Sequence, residues 1–311
     1  MLLSANSRIT LFYFVSAMSV GAVNGFAGLW MQSRGLTRDE IGFIFAAPIV
    51  AVLLAGMPIG RLADRLPDWR QVIVGGALLS AVVPFGLLGV DGFAGYLVVW
   101  TLAVVTQVSI IPIIDAAVIR RSRREGGDLG TLYAWKTVGY LATLFATGLL
   151  VGQFGITAFL PAYLGLSVLR GICALPLPKF RDAPAQTPSR MMWIASTNLA
   201  AVRPLFGWVL VHCTHSILNA FLGVLWVGQG VTPVMVAALI GLSGIVEAGV
   251  FVAFKTLTRR FKPTTLILVS CLAGVVRWTG FALSPPIEVM FLLQALHGLT
   301  YAVGFMACTN L

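Results

Sequence analysis

The sequence predicts an all-α polytopic membrane protein made of two helical halves, with about ten transmembrane helices and a cytoplasmic N-terminus. Three observations predict it. Of 311 residues, 58% are hydrophobic and 10% are charged, and mean hydropathy is +0.93. Ordinary soluble domains are about a quarter charged, so this chain cannot furnish a water-facing surface. The basic residues gather at alternate ends of the apolar runs. A short motif also recurs at one fixed offset along the chain.

A helix needs roughly 20 apolar residues to cross about 30 Å of hydrocarbon. The first run, 9–30, is too long for a signal-peptide core and lacks a small-x-small cleavage site, so it reads as a span. Further runs follow at 41–60, 71–90, 93–118, 134–154 and 157–176, then at 203–227, 232–254, 264–284 and 287–308. Between them lie two kinds of break, Gly- or Pro-rich turns with little charge and Arg-rich loops.

Sixteen of the Lys and Arg residues fall at one set of span ends. They include Arg8, Arg61, Arg65 and Arg70, the cluster Arg120, Arg121, Arg123 and Arg124, and Lys255, Arg259, Arg260 and Lys262. The opposite ends carry only Arg34 and Arg38. That asymmetry places the N-terminus inside and makes the protein a multi-pass component of the cell inner membrane. The net charge of +10 therefore reflects topology and points to the lipid bilayer as partner, with no nucleic acid.

The longest loop, 177–202, carries Pro178, Pro184 and Pro188 among polar residues, a linker composition. It divides the chain into an N-terminal six-helix half, 1–176, a cytoplasmic linker, 177–202, and a C-terminal half of four helices, 203–311. The motif Asn24-Gly25-Phe26-Ala27-Gly28 returns as Asn219-Ala220-Phe221-Leu222-Gly223, an offset of 195 residues. Gly35-Leu36-Thr37 returns as Gly230-Val231-Thr232 at the same offset, and Trp30 and Trp226 miss it by one. Two homologous halves are the build of one large class of secondary transporters. The same offset puts the partner of the sixth span beyond Leu311, so two further spans, eleven and twelve, are expected to be missing from this chain.

Ionisable groups inside spans are costly and so mark function. They are Asp115, Lys136, Arg170, His212, His215, Glu247, Arg277 and His297. Glu247 and Arg277 lie very roughly 12 and 20 Å inside the cytoplasmic boundary at 1.5 Å per residue, and His297 is similarly deep. An acid, a base and an imidazole on three consecutive spans can exchange a proton, because the charge on Glu247 depends on how near Arg277 lies. The alternative is a buried cluster that only fixes packing, although desolvation makes such clusters poor sources of stability.

His212 and His215 sit one turn apart, with Asn219 continuing the polar stripe. That face suits a water-filled cavity or packing hydrogen bonds; a metal would lack a third ligand. Asn24, Gln107, Trp30 and Trp226 would line the same cavity. Asp115 and Lys136, near the inner surface, read as an ion pair closing the inner end of the first half, with substrate contact as the lesser reading, and Arg170 as a snorkelling side chain without a role. Cys173, Cys213, Cys271 and Cys308 form no close pair and read as small core residues.

The loop Gly60-Arg61-Leu62-Ala63-Asp64-Arg65-Leu66-Pro67-Asp68-Trp69-Arg70 resembles the Gly-x-x-x-Asp-Arg-x-Gly-Arg-Arg loop of the major facilitator superfamily, with Gly60, Asp64 and Arg65 in place. Pro67, Asp68 and Trp69 depart from it, and Arg70 comes one position late. The resemblance implies a cytoplasmic gating role for these charges. The stretches Gly28–Leu36 and Gln294–Tyr301, with the Glu247, Arg277, His297 series, resemble the branch containing 3-phenylpropionate transporters and lactose permease, over essentially the whole chain. The second acid that lactose permease carries after its histidine is replaced here by Gly298-Leu299-Thr300.

The resemblance implies a monomeric secondary carrier that imports a small-molecule substrate, an aromatic acid such as 3-phenylpropionate, with a proton. A sugar, nucleoside or drug cargo stays open, as does a truncated remnant that does not transport. No P-loop, nucleophile–base pair or ligand cluster supports an enzyme, a metal or a cofactor other than the coupling proton.

Overall fold

The computed structural model describes the backbone of residues 4–125, 129–180 and 199–308. Most of the expected linker, 177–202, falls outside the described residues, as does the side chain of Asn219. The described elements are helical and divide into two compact units, Met1–Ala185 and Gln186–Leu311.

The first unit holds α1 (Ala5–Val23), α2 (Ala27–Ser33), α3 (Arg38–Arg65), α4 (Arg70–Val82, continued by a 3-10 turn), α5 (Gly92–Val108), α6 (Ile111–Glu125), α7 (Leu129–Phe154) and α8 (Phe159–Ala174). The second holds α9 (Leu199–Gly228), α10 (Pro233–Arg260), α11 (Pro263–Ala282), α12 (Ile287–Ala295), a π-helical turn (Gly298–Val303) and α13 (Gly304–Cys308). Among the described residues, eight helices are long and apolar enough to cross a membrane. Two bent pairs bring the number to ten: α1 with α2, at 43°, and Phe206–His215 with Ala220–Gly228, at 49°.

Both bends fall at the repeated Asn24 and Asn219 motifs, and both following turns have the same backbone. Gly35 and Gly230 adopt φ +86° and +85°, which suits a residue without Cβ. In each, a backbone N–H reaches back five residues, Leu36 to Met31 and Val231 to Trp226, at 3.3 and 2.9 Å. This satisfies the last carbonyls of the helix. Thr37 and Thr232 then cap the next helix by accepting from the backbone N–H of Glu40 and Met235. The offset read in the sequence is thus a repeat of local structure.

In the first unit the apolar core gathers Ile9, Phe12, Ile73, Ile114 and Ala174 between α1, α4, α6 and α8. Helices α1 and α7 cross closely enough that a Cβ on Gly21 would strike the Tyr140 carbonyl, and one on Gly139 the Phe14 carbonyl. Small residues at such crossings replace the hydrophobic drive that lipid cannot supply. The smaller core of the second unit joins Leu266 and Ile267 to Val303 and Ala307. Of the cysteines expected in the core, Cys173 is buried but Cys213 is exposed, and all four are free.

Candidate functional site

In the second unit, α9, α10, α11 and the segment around the π-helical turn bring together all three histidines of the chain. Arg277 on α11 is 0% exposed. Its Nη2 donates to the side-chain Oε1 of Gln294, and its Nη1 donates to Thr300 Oγ1 at 3.3 Å. The same Nη1 lies 3.2 Å from His215 Nε2. His215 Nδ1 lies 2.8 Å from the Val211 carbonyl, which can only accept. The hydrogen of His215 therefore sits on Nδ1, leaving Nε2 as an acceptor for the guanidinium. Gln294 is held in turn by donating to the Leu239 carbonyl at 3.3 Å.

Glu247 on α10 pairs with His297, with Oε2 and Nε2 3.5 Å apart. This pair is less enclosed, with side-chain exposures of 25% and 17%. The rings of His215 and His297 lie 5.0 Å apart, and Tyr301 stacks on His297 at 5.6 Å. The His212 ring sits between Trp208 and Tyr301, at 5.0 and 5.4 Å. Buried polar atoms without hydrogen-bond partners cluster here: His212 Nδ1, His297 Nδ1, Arg277 Nε and Trp278 Nε1. Such atoms in a membrane core call for water or a ligand in some working state.

The sequence singled out Glu247, Arg277, His297, His212 and His215, and the fold brings them into one cluster. Gln294, Thr300 and Tyr301 were missed as site residues. They lie three residues before, and three and four after, His297, a spacing that puts polar groups within one turn of it. Among the described residues no group of His, Cys, Asp or Glu could hold a metal ion.

Several expectations for the two units need correction. Trp30 packs against Tyr96 and Phe159 and is 3% exposed, so it is core rather than cavity wall. Trp226 is likewise buried, against Phe281. In both, ring area is better hidden against neighbours of the same unit. Asn24 donates to the Tyr140 hydroxyl at 3.1 Å, and Gln107 is half-buried on α5. Asp115 does not take Lys136 as its partner. It accepts from the Tyr13 hydroxyl, while the Lys136 ammonium lies 5.7 Å from the Tyr133 ring centre. Tyr13 and Tyr133 meet edge to face between the two charges.

The expected cytoplasmic gate divides. Gly60 is half-buried and Asp64 and Arg65 are exposed, but Arg70 is committed elsewhere. Its Nη2 and Nε donate to the Leu175 and Leu177 carbonyls at 2.6 Å each, covering the end of α8. Asp68 accepts from the backbone N–H groups of Arg70 and Phe180 at 2.9 and 2.8 Å. Arg120 lies 4.7 Å over the Trp69 ring. The departures Asp68, Trp69 and Arg70 thus form a local fastening around the end of α8. Arg170 is also corrected: it is 2% exposed and lies within the packing instead of reaching toward headgroups.

The profile of the MFS_1 like family matches residues 7–311. The chain is 27% identical to a probable 3-phenylpropionic acid transporter of Escherichia coli, over 99% of this chain and 82% of that protein. It is 25% identical to a maltose permease of Geobacillus stearothermophilus, over 93% of this chain and 74% of that one. Among solved structures, a point mutant of the nucleoside transporter NupG superposes with a TM-score of 0.84 at 16% identity, covering 98% of this chain and 81% of that chain. A bacterial homolog of the human lysosomal transporter Spinster, inward-facing and unoccupied, gives 0.73 at 15% identity, covering 98% and 74%. The structural likenesses establish the helical-bundle fold.

Proposed function

The chain belongs to the MFS_1 like family of multi-pass membrane transporters, and from that membership we propose that it is a proton-coupled secondary carrier of the inner membrane. It imports a small organic acid of the 3-phenylpropionate type by alternating access. It works as a monomer in the bilayer, with the proton as coupling ion and no other cofactor.

The observation that carries the coupling is the Glu247–His297 pair, 3.5 Å apart and partly exposed, beside an Arg277 that is wholly enclosed. A proton can reach the pair while the guanidinium stays fixed by Gln294 and Thr300. Protonating Glu247 takes away its negative charge, weakens its hold on His297 and so lowers the cost of moving α10 against the turn that carries His297. A carrier responds to a proton only if its two states bind that proton differently, and this contact is one that a movement of α10 breaks. Likeness to the probable 3-phenylpropionic acid transporter supports the acid as cargo.

In proteoliposomes, Glu247→Gln is expected to abolish uptake driven by a proton gradient while preserving exchange of labelled substrate at equilibrium. Full gradient-driven uptake with impaired exchange would remove Glu247 as the coupling group. Competition of aromatic acids, sugars and nucleosides against one labelled ligand identifies the cargo.

A further inference from the structure

Among the described residues Arg170 is the other buried guanidinium, and it is provided for differently from Arg277. It lies on α8, four residues before the helix ends at Ala174 and six before Pro176. The Pro176 carbonyl marks the level of the α1 start, because it accepts from Arg8 at 3.0 Å. Tyr163, Ser167, Arg170 and Ala174 share one buried face of α8. The neighbouring Gly171 is pressed against α4, where a Cβ would come 2.7 Å from that of Ala81.

The Nε and Nη2 atoms of Arg170 are buried and have no hydrogen-bond partner. These two N–H groups form one edge of the guanidinium, the parallel fork that matches the two oxygens of a carboxylate. An arginine so placed stays charged, and leaving its donors unmet costs more than leaving a neutral group unmet. The first unit does not supply the missing acceptor. Of the carboxylates in its described spans, Asp115 takes the Tyr13 hydroxyl, and Asp39, Glu40 and Asp64 lie in the first and last turns of Arg38–Arg65. Five buried hydroxyls in the unit also lack partners, Ser16, Ser19, Thr101, Ser109 and Thr143, and three of them lie on α1 and α7. Helix α1 packs against both α7 and α8.

We propose that Arg170 is an anion site of the first unit, whose Nε/Nη2 edge takes the carboxylate of a small organic acid as a bidentate pair. The edge is closed in this conformation, so the acid enters with a small slide of α8 over the Ala77 and Ala81 face of α4. The site draws on the carrier reading only for the chemical class of its ligand, and it operates without a proton gradient.

The test is binding to the full-length chain in detergent free of anionic lipid, read as thermal stabilisation. The probes are benzoate and 3-phenylpropionate, with benzamide and 3-phenylpropanol as neutral counterparts and inorganic phosphate as a tetrahedral anion. Carboxylates are expected to stabilise the wild type, and their neutral counterparts to leave it unchanged. Arg170→Gln is expected to weaken carboxylate binding at least about tenfold. Arg170→Lys, which keeps the charge without the fork, decides the matter if Arg170→Gln does not fold: weakened binding supports the site and unchanged binding refutes it. Unchanged carboxylate binding in Arg170→Gln or stabilisation by phosphate alone overturns the proposal. Because no gradient is applied, failure of Glu247→Gln to uncouple transport leaves this outcome untouched.

Discussion

Arg277 and His215 form a single unit of charge and acceptor. With Nδ1 committed to the Val211 carbonyl, His215 offers Nε2 to Arg277 at 3.2 Å, and a doubly protonated ring would confront the guanidinium instead. His215→Leu should therefore cost about 1–3 kcal/mol by stranding a buried donor. His215→Gln, which restores an acceptor, should recover much of the loss. Melting temperatures of the two variants in detergent check this, and equal losses would deny the acceptor role. The ionisable members of the cluster were legible because charge is rare inside spans. Gln294 and Thr300 were not, since uncharged polar residues occur on many helix faces for other reasons. Trp30, Trp226 and Arg170 were misplaced for a shared cause: residue type and depth do not reveal which neighbour a side chain meets.

At the level of elements, the crossing of α1 and α7 depends on two missing side chains. Gly21→Leu drives a Cβ into the Tyr140 carbonyl, and backbone cannot yield as a flexible side chain can. A loss of about 1–3 kcal/mol is expected, seen as a lower melting temperature. Gly165→Ala on α8 meets nothing within 4 Å and should stabilise the helix by about 0.5–1 kcal/mol. If Gly21→Leu were neutral, the close crossing would be wrong. The spans could be read from their apolar length, and their outer turns from Gly and Thr at one offset. The role of Arg70 could not, because covering the Leu175 and Leu177 carbonyls joins residues more than a hundred positions apart.

Across the whole molecule, the distribution of Lys and Arg dictates orientation. In a cysteine-free background, a membrane-impermeant thiol reagent added to intact cells should label Gln32→Cys and Gln229→Cys but not Gln71→Cys, all three positions being exposed. The reverse pattern would invert the protein. The outer turns following Trp30 and Trp226 carry a further consequence. They share a glycine at the same positive φ, the same five-residue backward bond and the same threonine cap. They are interchangeable parts, so grafting either segment into the other's position should leave a chain that still folds. Ancestry has left the molecule a spare copy of its own joint.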